Sequence, residues 1–161
     1  MRAVVDIETD AINATKIHCI VARKADTGET RHWIGDQCRE FGEWSKKIDT
    51  FIMHNGISFD APLLNKFTGS DIKVNQIDDT LIKSQLYNPI REDGHSLEAW
   101  GNFLGHKKGD YHDFATFNED MLKYCYTDTQ LTREVSAYLQ VEGEKFSEES
   151  YDLERKVRSI V

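Results

Sequence analysis

Nothing in these 161 residues is long and apolar enough to cross a membrane: the longest apolar runs, such as residues 3–5 and 19–22, fall far short of the about 18 residues that a span requires. No signal peptide is expected either, since Met1-Arg2 leads straight into a short strand-like run, and a soluble, cytoplasmic protein is the expectation. Pro/Gly-rich linkers, repeats and low-complexity tracts are also missing, so one compact domain is the default reading. Cysteine is sparse. Cys19, Cys38 and Cys125 are odd in number and show no CxxC or Cys/His spacing, which indicates neither a disulfide framework nor a zinc site. Cys19 and Cys125 sit in apolar surroundings and read as buried packing residues. Basic residues are in short supply, 20 Lys and Arg against 28 Asp and Glu, for a net charge of −8. That argues against a protein that grips nucleic acid by a broad basic face, because such binding rests on cations neutralising phosphates. It leaves open a nucleic-acid enzyme whose phosphate contacts pass through metal ions.

What is present alternates between strand and helix patterns. Residues 4–7 read as a first strand, and residues 17–23 and 30–34 as a hairpin across the turn-forming Ala25-Asp26-Thr27-Gly28-Glu29. Cys38, Phe41 and Trp44 stand three apart and predict an amphipathic helix over 37–47. A short strand follows over 50–55, then a helix from Ser58. Residues 75–88 read as a brief strand entering a helix capped by Asp79 or Thr80. Ser96 suits the N-cap of the next helix and Gly105 its stop; residues 107–117 are polar and read as loop. The longest helical pattern runs from an Asn118 cap, with acids in its first turn, through Met121, Leu122, Cys125, Leu131, Val135 and Leu139. At the end, Leu153, Val157 and Ile160 have helical spacing and no stop signal, as though something should follow. Strands first, then strands alternating with helices, point to an α/β domain: a mixed central sheet, antiparallel meander plus parallel strands, flanked by helices.

Acids stand out against this frame. In "VVDIETD", Asp6 and Glu8 point to one face if the strand persists that far. An isolated ionised carboxylate is costly to bury, whereas two on one face suit a hard divalent cation that takes oxygen ligands. The alternative is that the strand ends at Val5 and the acids are solvated. In "HNGISFDAPLL", Asp60 falls in the first turn of a helix, which favours a carboxylate with or without a function. In "YCYTD", Tyr124 and Asp128 are four apart and share a helix face. Asp128 lies at the margin of the buried side, and Tyr124 is equally readable as a core aromatic.

The order Asp-x-Glu, Asp, Tyr-x-x-x-Asp resembles the DEDD superfamily of 3′–5′ exonucleases, in the subclass whose third motif carries tyrosine; the histidine subclass would have His where this chain has Lys123. "DIETDAI", "HNGISFDAPLL", "IDDTLIKSQLYNP", "HSLEAWGNFLGHKKGDYHDF" and "FNEDMLKYCYTDTQLT" are each similar to segments of the proofreading domain of family A DNA polymerases of podovirus-type phages, over about residues 3–140.

The resemblance implies a ribonuclease H-like exonuclease fold. It implies Asp6, Glu8 and Asp128 around one divalent cation, Mg2+ or Mn2+, with Asp6 bridging to a second that Asp60 supports through water. Two such ions about 3.5–4 Å apart stabilise the attacking and leaving oxygens of a phosphoryl displacement. It also implies that Tyr124 orients the attacking water, that Thr9 contacts the terminal nucleotide, and that Ile12 wedges between the last two bases, plain core packing being the other reading of Ile12. Asn55 is expected at the substrate, with His54 helping to hold the site. Asp10 keeps a reading as a solvated turn residue. The expected partner is a single-stranded DNA 3′ end, with a covalently linked polymerase domain beyond a helical extension over 143–161, the exonuclease domain itself spanning 1–142. A monomer in the host cytoplasm is expected if the chain is phage-encoded. The alternatives are a stand-alone exoribonuclease of the same subclass, a catalytically silent exonuclease-like scaffold module and a two-metal hydrolase with another substrate.

Overall fold

The computed structural model describes residues 1–106 and 111–160. Five strands form one sheet: β1 (Arg2–Thr9), β2 (Ile17–Lys24), β3 (Thr30–Ile34), β4 (Thr50–Met53) and β5 (Ile77–Asp79). Their spatial order is β3-β2-β1-β4-β5. β1, β2 and β3 are an antiparallel meander, while β4 and β5 run parallel to β1. The helices are α1 (Phe41–Trp44), α2 (Asp60–Thr68), α3 (Thr80–Tyr87), α4 (Leu97–Leu104), α5 (Glu119–Glu142) and α6 (Glu148–Ile160). This is the mixed sheet flanked by helices that the sequence predicts. Residues 107–110 of the expected polar loop lie outside the described residues.

Alternation along β1 divides the core. Ala3, Val5 and Ile7 face a large cluster with Phe41, Phe51, Met53, Leu64 and Ile77. Asp6 and Glu8 point to the other face. Asp6 is registered opposite Val21 and Glu8 opposite Cys19. Val21 and Cys19 pack against Met121, Leu122 and Cys125 of α5. The strand therefore persists past Val5, and both acids are held against α5. A register shift between Glu8 and Thr9 ends the regular pairing there, a local kink of the kind that re-aims side chains at strand ends.

Side-chain caps start three helices where the sequence places them. Asp79 accepts from Leu81 N (3.0 Å), Ser96 from Ala99 N (3.0 Å) and Asn118 from Met121 N (2.9 Å). Each satisfies a backbone donor that the first helical turn leaves open. Gly105 ends α4 at φ +74, the left-handed conformation that glycine adopts without a Cβ penalty. Two expectations shift. The helix expected over 37–47 is a short α1 between two 3₁₀ turns, Gly35–Glu40 and Ser45–Lys47; three-residue spacing is the 3₁₀ period itself. α2 begins at Asp60 rather than Ser58. On α6 the buried residue is Tyr151, while Leu153, Val157 and Ile160 are exposed. The Tyr151 hydroxyl accepts from Asp79 N (2.7 Å) and donates to Ile77 O (2.9 Å), tying α6 to β5. Among the described residues no helix is long and apolar enough to cross a membrane.

Candidate active site

The C-terminal ends of β1, β4 and β5 open into a cleft of ≈ 720 Å³ lined by Asp6, Glu8, Asp60, Tyr124 and Asp128, together with His54 and Asn55. Four elements supply these groups. β1 delivers Asp6 and Glu8, the turn after β4 delivers His54 and Asn55, α2 carries Asp60 at its first position, and α5 carries Tyr124 and Asp128 one turn apart. Ligand crevices at the carboxyl ends of parallel strands follow from this topology.

Burial makes the cluster electrostatically tense. Glu8, Asp60 and Asp128 are each less than 10% exposed. Asp128 lies within the buried stripe of α5, between Cys125 and Leu131, deeper than the margin expected from sequence. The Asp60 carboxyl is pushed up to about 8, first by burial and then by the negative charge of Asp79, with Asp128 adding to it; the Ile7 backbone N–H opposes the shift. A buried anion among anions gains most from a proton or a cation. Asp6, Glu8 and Cys125 bring candidate ligand atoms within 4.8 Å of one another, a spacing able to hold one metal ion. Cys125, read from sequence as packing, turns its thiol to Asp6, donating to Oδ2 (3.4 Å) and to the backbone oxygen (3.5 Å). Burial pushes that thiol well above its ordinary range, so it stays a neutral donor. Its proximity to Asp6 depends on the packing of α5 against β1, and no local sequence signal carries it.

Thr9 and Ile12 are not among the cleft-lining residues. Thr9 is buried and donates its hydroxyl to Ala11 O (3.0 Å). Ile12 is 89% exposed, which removes the core reading. Asp10 closes the loop that carries Ile12, accepting from Thr15 N (2.9 Å), Lys16 N (3.3 Å) and the Thr15 hydroxyl. The Thr15 hydroxyl leads the effects that hold the Asp10 carboxyl down to about 2. It is a loop latch rather than only a solvated residue.

Two networks brace the walls. Tyr124 stacks near Tyr111 and Phe114, at ring-centroid distances of 5.9 and 6.3 Å. His18 holds that loop by donating Nε2–H to Phe114 O (2.8 Å), since a carbonyl can only accept. In "HSLEAWG", His95 Nε2–H donates to Pro89 O (3.1 Å), which leaves Nδ1 to accept from Ser84 Oγ (2.7 Å). Ser84 Oγ in turn accepts from Trp100 Nε1 (3.0 Å) and Arg91 Nε (2.9 Å). The motif fixes α4, and so His95 and Leu97 at the cleft rim.

This arrangement of sheet, helices and cleft recurs in solved structures. NrnC from Brucella melitensis, solved with bound Mg2+, superposes with a TM-score of 0.68 at 19% identity, over 89% of this chain and 74% of that one. The catalytic core of RRP6 from Trypanosoma brucei superposes with a TM-score of 0.67 at 18% identity, over 86% of this chain and 40% of that one. The chain shares the ribonuclease H-like fold of these structures. In sequence, the chain is 26% identical to the DNA-directed DNA polymerase of Escherichia phage T7, over 80% of this chain and 25% of that one. The chain spans about a quarter of the length of the curated relatives it matches. No family model matches it.

Proposed function

We propose that the chain is a metal-dependent 3′–5′ exonuclease that removes nucleotides from single-stranded or mismatched DNA 3′ ends, the proofreading part of a phage-type DNA polymerase. The observation that carries this reading is the convergence of Asp6, Glu8, Asp60, Asp128 and Tyr124, from three elements of different sequence position, on one cleft. The carboxylates offer hard oxygen donors, which suits Mg2+ or Mn2+, while the Cys125 thiol stays protonated and is not counted as a ligand. Asp6, Glu8 and Asp128 would hold one ion, and Asp6 with Asp60 a second. Bound there, such ions would supply a lowered pKa to the attacking water and countercharge to the departing 3′ oxygen.

The chain's own groups do the rest. Tyr124, held by Tyr111 and Phe114, orients the attacking water with its hydroxyl. Asn55 contacts the terminal nucleotide, Thr9 at the end of β1 supports that contact, and Ile12, exposed on the loop after β1, wedges between the last two bases. Water loses a proton to solvent as it adds to the phosphorus, the bond to the 3′ oxygen of the neighbouring nucleotide breaks, that oxygen takes a proton from solvent, and a nucleoside 5′-monophosphate leaves. Only an unpaired end threads into the cleft, so selectivity for mismatches comes from the lower cost of fraying rather than from reading bases. The similarity to the T7 polymerase over 80% of the chain supports DNA as substrate. On the same reading residues 1–142 are the exonuclease unit, 143–161 lead toward a polymerase domain, and the protein works as a monomer in the host cytoplasm.

The test is a time course on a 5′-labelled single-stranded DNA with and without magnesium, beside an RNA of matched sequence. A ladder shortening from the 3′ end, dependent on magnesium and faster on DNA, is expected. Faster RNA trimming would move the assignment to an exoribonuclease, and a metal-independent or absent ladder would overturn it.

A further inference from the structure

Asp79 and Thr80 carry no part of the chemistry above. Asp79 is 1% exposed, and its carboxylate accepts backbone N–H groups from both sides. Oδ1 takes Asn55 N (2.9 Å) as well as the α3 cap at Leu81 N (3.0 Å), and Oδ2 takes Ile57 N (3.1 Å). Thr80 Oγ1 donates to Met53 O (3.3 Å), so at 2.8 Å it accepts from His54 Nδ1–H. Two consecutive residues at the junction of β5 and α3 therefore hold four parts of the 53–57 turn, across more than 20 residues of sequence.

The turn is one that needs holding. Asn55 has φ +65, the single positive φ at a non-glycine residue among those described. Asparagine tolerates that conformation better than most residues, yet it remains uncommon outside glycine. A Cβ at Gly56 would meet the Met53 Cβ at 2.3 Å, so the backbone passes where no other residue fits. Asn55 reaches the cleft from this turn.

We propose that Asp79 is a positioning residue for substrate binding: its carboxylate sets the left-handed Asn55 turn and so presents the Asn55 side chain to the DNA 3′ terminus. This rests on the exonuclease reading above. A carboxylate suits the task because both oxygens only accept, whereas an amide would turn an NH2 toward Asn55 N or Ile57 N.

The test is steady-state cleavage of a 5′-labelled single-stranded DNA by the 161-residue chain in magnesium, with a double-mutant cycle between Asp79→Asn and Asn55→Gly. Glycine keeps the turn and deletes only the side chain. Asp79→Asn is expected to raise KM about tenfold with kcat within about threefold, and to raise it less than about twofold further once Asn55 is glycine. A rise in melting temperature on adding magnesium should persist, because the four site carboxylates remain, its size changing once the Asp79 charge no longer raises the Asp60 carboxyl. Equal effects of Asp79→Asn in both backgrounds, an unchanged KM, or loss of the magnesium-induced rise would each overturn the proposal. Should Asp79→Asn fail to fold, Asn55→Ala against Asn55→Gly decides: alanine strains the positive φ and must be severalfold worse on KM, and equal values overturn the proposal. A wild-type chain that cuts no DNA fails the exonuclease reading and this proposal with it; an active wild type with an additive cycle fails the proposal alone.

Discussion

The parallel strands answer buried carboxylates in opposite ways at their two ends. At the N-terminal end, a cleft of ≈ 650 Å³ contains Asp78, which is 9% exposed and ion-paired by Lys83 (2.8 Å) and Arg2 (3.2 Å). At the C-terminal end, the described lining residues include neither Lys nor Arg, and Asp60 has Asp79 and Asp128 as charged neighbours. Asp78 and Asp79 are consecutive, yet one is answered by cations and the other by backbone N–H groups. The first end is arranged so that the chain neutralises itself. At the second, burial and the Asp79 and Asp128 charges raise the proton affinity of Asp60, a cost to the fold that a site for metal chemistry accepts.

The contrast breaks most sharply at Asp6. Asp6→Ala should lower cleavage of single-stranded DNA by about 10³-fold or more, roughly 4 kcal/mol of transition-state stabilisation. The metal-free protein should melt no lower than wild type, because a repelling charge has gone. Activity within about tenfold of wild type would sink the metal-site reading.

The next test is the pH dependence of the metal-free protein. Asp60, with a folded-state pKa of about 8 against about 4 when unfolded, binds more protons folded than unfolded between those values. Metal-free stability should therefore fall as pH rises from about 4 through 8, and Asp60→Asn should flatten that fall in denaturant titrations. Saturating magnesium should raise the melting temperature more at pH 8 than at pH 5, since ligation requires the ionised carboxylate. A magnesium effect independent of pH would count against Asp60 as part of the cluster.

At the balanced end the effects should be smaller and confined to stability. Asp78→Ala should cost about 2 kcal/mol, less than a fully buried pair because Arg2 is half exposed, and lower the melting temperature by about 4–8 °C. Its cleavage rate should stay within about twofold of wild type. Arg2→Ala, which leaves Lys83 on Asp78, should cost only about 0.5 kcal/mol by thermal melt. A larger loss from Arg2 than from Asp78 would reverse the assignment of that end.

How much of this was legible in sequence follows the range of the interactions. The caps at Asp79, Ser96 and Asn118 were readable because each bonds a backbone N–H two or three residues on. Asp6, Glu8, Asp60, Tyr124 and Asp128 were readable as a set through motif order, and the fold brings them to one cleft. The 35–47 segment misled because none of its short helical pieces has a side-chain cap bond and a three-residue period fits two helix types. Asp79 was legible as a cap but not as a clamp on Asn55 and Ile57, which lie 24 and 22 residues away. Cys125 against Asp6, 119 residues apart, was beyond any local pattern.

The tie between Tyr151 and β5 carries one more consequence. β5 is the last strand of an open sheet, and its outward amide and carbonyl are a template for pairing with another chain. One phenol occupies both, at Asp79 N and Ile77 O, and the Arg155 guanidinium adds a second donor to Ile77 O (3.3 Å). A chain shortened before α6 would bare that rim. Its expected failure is self-association through strand addition, visible as concentration-dependent size, before any loss of the core.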